Sequence, residues 1–304
     1  MTFAVLCPGQ GAQHPGMLDL VREHPAARTV LDAAHDALGA DPRDWLARPE
    51  SIFENAIAQP LICLVQLAQW NCLHAELPRP AAVAGYSVGE LACYGVAAAL
   101  DAGSLALLAV ARARAMDNAA ARHPGSLAAV RGPPRATLER ACEGIEAHVA
   151  IVNDDDAFVV GGTQDALAAL QTRLAVAGAQ WTALRVGVAS HTPLLADAVA
   201  HFRAALTASP LGAPAIPVVA GIDATLVRHR EQAIATLSAQ LAQVIEWAQC
   251  IDVLHERGCR VFLELGPGQA LCRMVRERHD DVEARGLDEF RDLAALVEWV
   301  RRRT

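Results

Sequence analysis

The chain has 304 residues, a formal net charge of −8, and 53% hydrophobic but only 4% aromatic residues. It is long enough for one large domain with an insertion or for two domains, and its core must be built from Ala, Leu and Val, which suits a helix-rich α/β protein better than a β-sandwich. All 26 basic residues are arginine, so a P-loop, a lysine Schiff base and a pyridoxal phosphate enzyme are excluded, and the acidic balance argues against nucleic-acid binding.

Residues 3–7 form an apolar run that predicts a buried first strand ending at Pro8-Gly9. This run is too short for a signal peptide and carries no basic flank. Helical patterns follow over 26–38 and 60–75. The uncharged stretch 55–73 contains Gln59, Pro60, Gln66, Gln69 and Asn71, which predicts a buried or half-buried helix rather than a membrane span. A strand and tight turn are expected over 81–90, then Ala/Leu-rich helices over 90–99 and 104–120. Between these helices Asp101-Ala102-Gly103-Ser104 is a helix-start signature.

The pattern changes after His123-Pro124-Gly125. A strand is expected over 126–130, a helix over 135–143, a hairpin of 149–152 with 158–160 around Asp154-Asp155-Asp156, a helix over 164–177 and a strand over 181–186. This β-α-β-β-α-β order is the ferredoxin-like signature. It predicts a small subdomain, 122–189, inserted into a large domain made of 1–121 and 190–304. Beyond it come a linker at 214–217, helices over 193–208, 231–241, 247–257, 269–278 and 288–302, and strands over 216–220 and 260–264. The eight cysteines are scattered, with no Cys-x-x-Cys pair and no histidine at zinc spacing. They read as small core residues in a reducing cytoplasm, and neither a metal nor a cofactor is expected.

Gly85-Tyr86-Ser87-Val88-Gly89 reads Gly-x-Ser-x-Gly, with an apolar strand before it and a helix start behind it. That context is the nucleophile elbow, where glycines leave room for a sharp bend and the serine hydroxyl stands at the tip. Pro8-Gly9-Gln10-Gly11-Ala12-Gln13 follows the first strand directly. As a dinucleotide motif it fails, because the sixth position is His14 and Pro15-Gly16 comes next. As an oxyanion loop it fits: the N–H of Gln10 would pair with that of Val88, the residue after the nucleophile. A serine also needs a base. His191 follows the last strand of the insert, at a junction where a cleft forms, but any of the 11 histidines remains open on these grounds alone.

Together these motifs resemble the malonyl-CoA:acyl carrier protein transacylases over essentially the whole chain. Residues 8–13 stand where that family has Pro-Gly-Gln-Gly-Ser-Gln, and 85–90 where it has Gly-His-Ser-Leu-Gly-Glu. Leu263-Glu264-Leu265-Gly266-Pro267-Gly268 matches its Glu-Val-Gly-Pro-Gly turn. The resemblance implies that Ser87 is the nucleophile, that Ser190-His191 supplies the base, and that the Gln240 backbone carbonyl orients the imidazole. It also implies that Arg112 grips the malonyl carboxylate, with Gly9, Gly11, Tyr86, Met116, Asn153 and Ser190 completing the substrate site. Tyr86 departs from the family histidine. With 186–195 and Leu287-Asp288-Glu289-Phe290-Arg291, it makes the chain most similar to the epsilon subunit of malonate decarboxylase, whose carrier subunit is then the expected partner beside malonyl-CoA. The implied fold is an α/β-hydrolase-like large domain with a ferredoxin-like insert.

Two rivals stand beside this reading. A serine hydrolase or thioesterase would use Ser87 with Asp223 or Asp252 and His255 or His279, in the order Ser…Asp…His. A non-catalytic carrier-docking subunit would not need a serine–histidine pair. Because the chain is itself acidic, attraction to an acidic carrier must come from a local patch, for which Arg122, Arg131, Arg273 and Arg276 are the candidates.

Overall fold

The computed structural model describes residues 2–176, 178–184 and 186–304. Its strands are β1 (Thr2–Cys7), β2 (Ala82–Gly85), β3 (Ser126–Arg131), β4 (Ala147–Asp154), β5 (Ala157–Gly162), β6 (Gln180–Ala183), β7 (Val218–Val219), β8 (Leu226–Val227), β9 (Cys259–Glu264) and β10 (Glu283–Gly286). Its helices are α1 (Pro25–Leu38), α2 (Pro42–Leu46), α3 (Asn55–Leu73), α4 (Val88–Val96), α5 (Ala102–Arg122), α6 (Arg135–Cys142), α7 (Gln164–Ala175), α8 (Ala196–Ala208), α9 (Arg230–Ala239), α10 (Trp247–Glu256), α11 (Ala270–Arg278) and α12 (Leu293–Arg301).

The strands form a larger sheet in the order β10-β9-β1-β2-β7-β8 and a separate sheet in the order β4-β5-β3-β6. The larger sheet is parallel except for the β7–β8 pair, and the smaller is antiparallel throughout. β1 and β2 are covered on both faces and buried apart from Thr2. This is why they appear in the sequence as continuous apolar runs with no alternation. β3, α6, β4, β5, α7 and β6 follow one another in the β-α-β-β-α-β order.

Helix α3 packs among α1, α4 and α5 and is buried nearly all round. It is long and apolar enough to cross a membrane, but 83% of its apolar window is buried inside the fold. It spans 55–73, the whole uncharged stretch read as a buried helix, and extends ahead of the narrower 60–75 pattern because Pro60 sits inside the helix instead of opening it. The last helix is also shorter than 288–302: a 3₁₀ turn, Leu287–Glu289, precedes α12, whose N-cap Asp292 accepts the Ala295 N–H at 2.7 Å. The strand over 216–220 contracts to two residues. α2, β8 and β10 carry too short or too polar a pattern to be expected. Ala177 and Arg185, at the ends of the expected helix 164–177 and within the expected strand 181–186, lie outside the described residues.

The end of β1 and the turn after β2 touch each other. A Cβ on Gly89 would fall 2.0 Å from the Cys7 carbonyl oxygen, and one on Gly85 would fall 2.2 Å from the Glu90 nitrogen. Both positions therefore exclude any side chain. Gly187, whose Cβ would meet nothing within 4 Å, provides the contrast. Gly89→Ala should lose about 3 kcal/mol of stability or fail to fold, while Gly187→Ala should stay within roughly 0.5 kcal/mol of wild type. Urea unfolding followed by circular dichroism measures both. Equal stability of the two variants would show that the elbow can relax.

Candidate active site

Ser87 connects β2 to α4 with φ 56° and ψ −118°, a left-handed conformation that costs a non-glycine residue of order 1–3 kcal/mol. In return the hydroxyl makes no capping bond to its own helix. Its Oγ lies 2.8 Å from His191 Nε2.

His191 is 1% exposed and also left-handed, at φ 63°. Its main-chain N–H donates to Leu241 O at 2.9 Å, and its Nδ1 lies 2.6 Å from Gln240 O. A carbonyl only accepts, so Nδ1 must carry the proton, which leaves the Nε2 lone pair facing the serine hydroxyl. Burial, reinforced by Arg112, lowers the imidazole to about 3, against the opposing bond to Gln240. The ring is therefore neutral at physiological pH and able to accept the Ser87 proton.

Arg112 projects from α5 and is 1% exposed. Its partners are all neutral: Gln59 Oε1 at 2.8 Å, Gln240 Oε1 at 3.0 Å and Met116 Sδ at 3.3 Å. Its Nε is buried without a partner. Burial lowers the guanidinium to about 10, which leaves it charged at neutral pH. A buried cation with no carboxylate beside it is a site prepared for an anion. Beyond Gln240 lies Glu90, whose carboxyl burial raises to about 7 against the pull of the Gly221 N–H, Gln240 and Arg112.

The loop after β1 lies against the elbow: a Cβ on Gly9 would sit 2.8 Å from Tyr86 O and 3.6 Å from Ser87 Cβ. Gln66 of α3 fixes this loop by donating to Pro8 O at 2.7 Å, and within it Gly11 N–H donates to the Gln13 side chain. Gln10 follows Gly9 in this loop and is half-buried, while Gly11 is exposed. Val88 is the first residue of α4, so its N–H has no partner within the helix. Tyr86 packs edge-on against Trp247, 5.4 Å between ring centres, and donates to Asn153 Oδ1 of β4 at 3.0 Å. The ring thus ties the elbow to the smaller sheet. Ser190 is buried next to His191.

The other histidines proposed for a hydrolase are engaged elsewhere. His255 pairs with Asp281 at 2.7 Å and His279 with Asp252 at 3.0 Å, with the two rings stacked 3.8 Å apart. Asp223 accepts from Thr225. His255, His279 and Asp281 hold ligand atoms within 4.8 Å of one another, yet Arg260 already occupies Asp281 at 2.7 Å. The four-arginine patch divides. Arg131 and Arg273 line one cavity of about 430 Å³ and share Glu277. Arg122 instead pairs with Asp197, and Arg276 donates to Ala284 O.

Three residues of the site escaped the sequence reading of roles: Gln59, Gln66 and Glu90. The two glutamines had a signal. They lie seven residues apart, two helical turns, on a helix that is otherwise almost wholly apolar, and a buried amide there must be holding something.

The acyl transferase domain family matches residues 4–290. The malonyl CoA-acyl carrier protein transacylase of Mycobacterium tuberculosis is 31% identical over 304 residues, covering 97% of this chain and 99% of that one. The solved malonyl CoA-acyl carrier protein transacylase of Coxiella burnetii superposes with a TM-score of 0.93 at 26% identity, covering 99% and 98% of the two chains. A malonyl-transacylase solved in complex with its type II PKS acyl-carrier protein also gives a TM-score of 0.93 at 26% identity, covering 98% and 99%.

The neutral imidazole has a direct consequence. The ring-proton NMR signal lost in His191→Gln should not titrate between about pH 5 and 8, where a solvated histidine with an ordinary value near 6.5 changes charge. A midpoint near 6.5 for that signal would mean that His191 is open to water and that the buried geometry is wrong.

Proposed function

The chain belongs to the acyl transferase domain family, and from that premise we propose that it moves a malonyl group from malonyl-CoA to the thiol of an acyl carrier protein through a malonyl-serine intermediate. The observation that carries this reading is the Ser87–His191–Gln240 chain of hydrogen bonds beside a buried arginine that lacks a carboxylate.

In the proposed reaction Ser87 Oγ attacks the thioester carbonyl while its proton passes to His191 Nε2. The N–H groups of Gln10 and Val88 receive the developing oxyanion. When the tetrahedral intermediate collapses, the CoA sulfur leaves and takes the proton from His191. The carrier thiol then gives its proton to His191, attacks the malonyl ester and expels Ser87 Oγ, which recovers the proton. Arg112 forms a two-pronged pair with the free malonyl carboxylate in both half-reactions. Gly9, Gly11, Tyr86, Met116, Asn153 and Ser190 form the surrounding wall. The kinetics are ping-pong.

We read the architecture as an α/β-hydrolase-like domain, 1–121 with 190–304, interrupted by a ferredoxin-like subdomain, 122–189. The elbow on a largely parallel sheet and the β-α-β-β-α-β order support this. The enzyme works in the cytoplasm, in keeping with its unpaired cysteines. The preferred carrier is the carrier subunit of malonate decarboxylase, with the carrier of fatty-acid or polyketide synthesis as the alternative. Tyr86 in the elbow supports the former, and Arg131 and Arg273 are the cations placed to meet an acidic partner.

Intact-mass spectrometry after brief exposure to malonyl-CoA should show one malonyl adduct, mapped by peptide digestion to Ser87 and absent in Ser87→Ala. Adding carrier protein should discharge it onto the carrier, and parallel chases with the two kinds of carrier rank them. An adduct on a cysteine, or one discharged only to water, would overturn the transferase reading. Arg112→Ala should lose roughly tenfold or more in kcat/KM for malonyl-CoA relative to acetyl-CoA, since a hydrogen bond to a charged group is worth about 1.5–3 kcal/mol.

A further inference from the structure

Glu90 closes the elbow motif, and the reaction above gives it no task. It is fully buried in the first turn of α4, three residues after Ser87. Its Oε2 accepts the Gly221 N–H at 2.9 Å and also the side-chain Nε2 of Gln240. A carboxylate offers only acceptors, whereas an amide has one donor end and one acceptor end. Glu90 therefore holds the nitrogen end of the Gln240 amide and keeps Oε1 turned toward the Arg112 guanidinium at 3.0 Å. Turned over, that amide would set N–H against an arginine that only donates, and oxygen against Oε2, which already accepts the Gly221 N–H. The same residue's main-chain oxygen holds the His191 ring at 2.6 Å. Gln240 thus touches both halves of the site, and its side-chain amide is held between Arg112 at the oxygen end and Glu90 at the nitrogen end.

We infer that Glu90 is a positioning residue for substrate selection: by fixing the Gln240 amide it aims Arg112 at substrates that carry a free carboxylate. Its carboxyl group lies one amide away from the arginine. It can orient Arg112 without occupying it, which a carboxylate in direct contact could not do. The inference rests on the reading of Arg112 as the carboxylate grip.

The test is the ratio of kcat/KM for malonyl-CoA to that for acetyl-CoA, which does not depend on how much of a variant is correctly folded. Glu90→Ala and Gln240→Met, which keeps the main-chain carbonyl, should each lower the ratio by roughly tenfold, the loss of one hydrogen bond to a charged group. The double variant should fall no further than either single one, because both remove the same aimed amide. Glu90→Gln should recover most of the ratio. Its amide oxygen can accept both N–H groups, and its nitrogen would take the place of Oε1, which has no partner. Unchanged ratios in both single variants, or losses that multiply in the double variant, would overturn the inference. If Glu90→Ala does not fold, Gln240→Met decides alone, and an unchanged ratio overturns it. Arg112→Ala separates the two layers. If it leaves the ratio unchanged, the carboxylate-grip reading fails; if it lowers the ratio while the other variants do not, only the role of Glu90 fails.

Discussion

A buried guanidinium with only neutral neighbours is the constraint around which this site is organised. Removing a cation from water costs several kcal/mol unless it is paired and hydrogen-bonded. Arg112 has two amide oxygens and a sulfur in place of a carboxylate. Those partners hold the side chain in one pose but leave its charge unanswered. An incoming carboxylate therefore meets a cation already desolvated and already aimed, so little ordering remains to oppose binding. The fold sustains this deficit by spreading the arginine's contacts over three separate segments: Gln59 on α3, Met116 on α5 and Gln240 after α9. No one of these could fix it alone.

The same logic governs the loops. Glycine at 89 lets the end of β1 approach the elbow, and glycine at 85 lets the elbow fold back on the start of α4, to distances that a Cβ would forbid. The loops that result are fastened by amides of α3: Gln66 holds Pro8 O, while Gln69 bonds Met17 O at 3.1 Å and Gly266 N–H at 2.8 Å. A helix buried on all sides can hold irregular backbone in this way because its amides find partners nowhere else. Strain at Ser87 and His191, both left-handed, persists because the surroundings determine them from several directions.

Much of this was legible in the sequence, and the remainder was not for definite reasons. The buried strands, the long helices and the elbow announce themselves through local pattern: apolar runs, helical period and glycine spacing. Ser87 and His191 were named as partners although 104 residues separate them, but on family resemblance; the residues alone favoured His191 only by its place at the joint between the domains. Element ends went astray where one local signal misled, as with Asp292 starting α12 later than the periodicity suggested. The arginine patch divided, with Arg131 and Arg273 lining one cavity, because sequence cannot show which surface arginines lie together and which are engaged elsewhere, as Arg122 is with Asp197. Gln59 and Glu90 were overlooked as functional groups because their partners come from distant segments, 53 and 150 residues away along the chain.

The choice of a carbonyl rather than a carboxylate behind His191 follows from the arginine. In a serine triad an aspartate usually fixes the imidazole tautomer and stabilises the imidazolium. Here the imidazole and the guanidinium share one buried space, close enough for Arg112 to help lower the histidine. An ionised carboxylate placed behind the ring would be drawn to Arg112 and would repel the substrate's own carboxylate. A main-chain carbonyl fixes the tautomer equally well through a 2.6 Å bond and adds no charge to the site. What it gives up is stabilisation of the imidazolium. In the proposed reaction the imidazolium forms together with the oxyanion on the thioester carbonyl, while the malonyl carboxylate answers Arg112, so the substrate supplies to the loaded site both charges that the protein leaves out of the empty one.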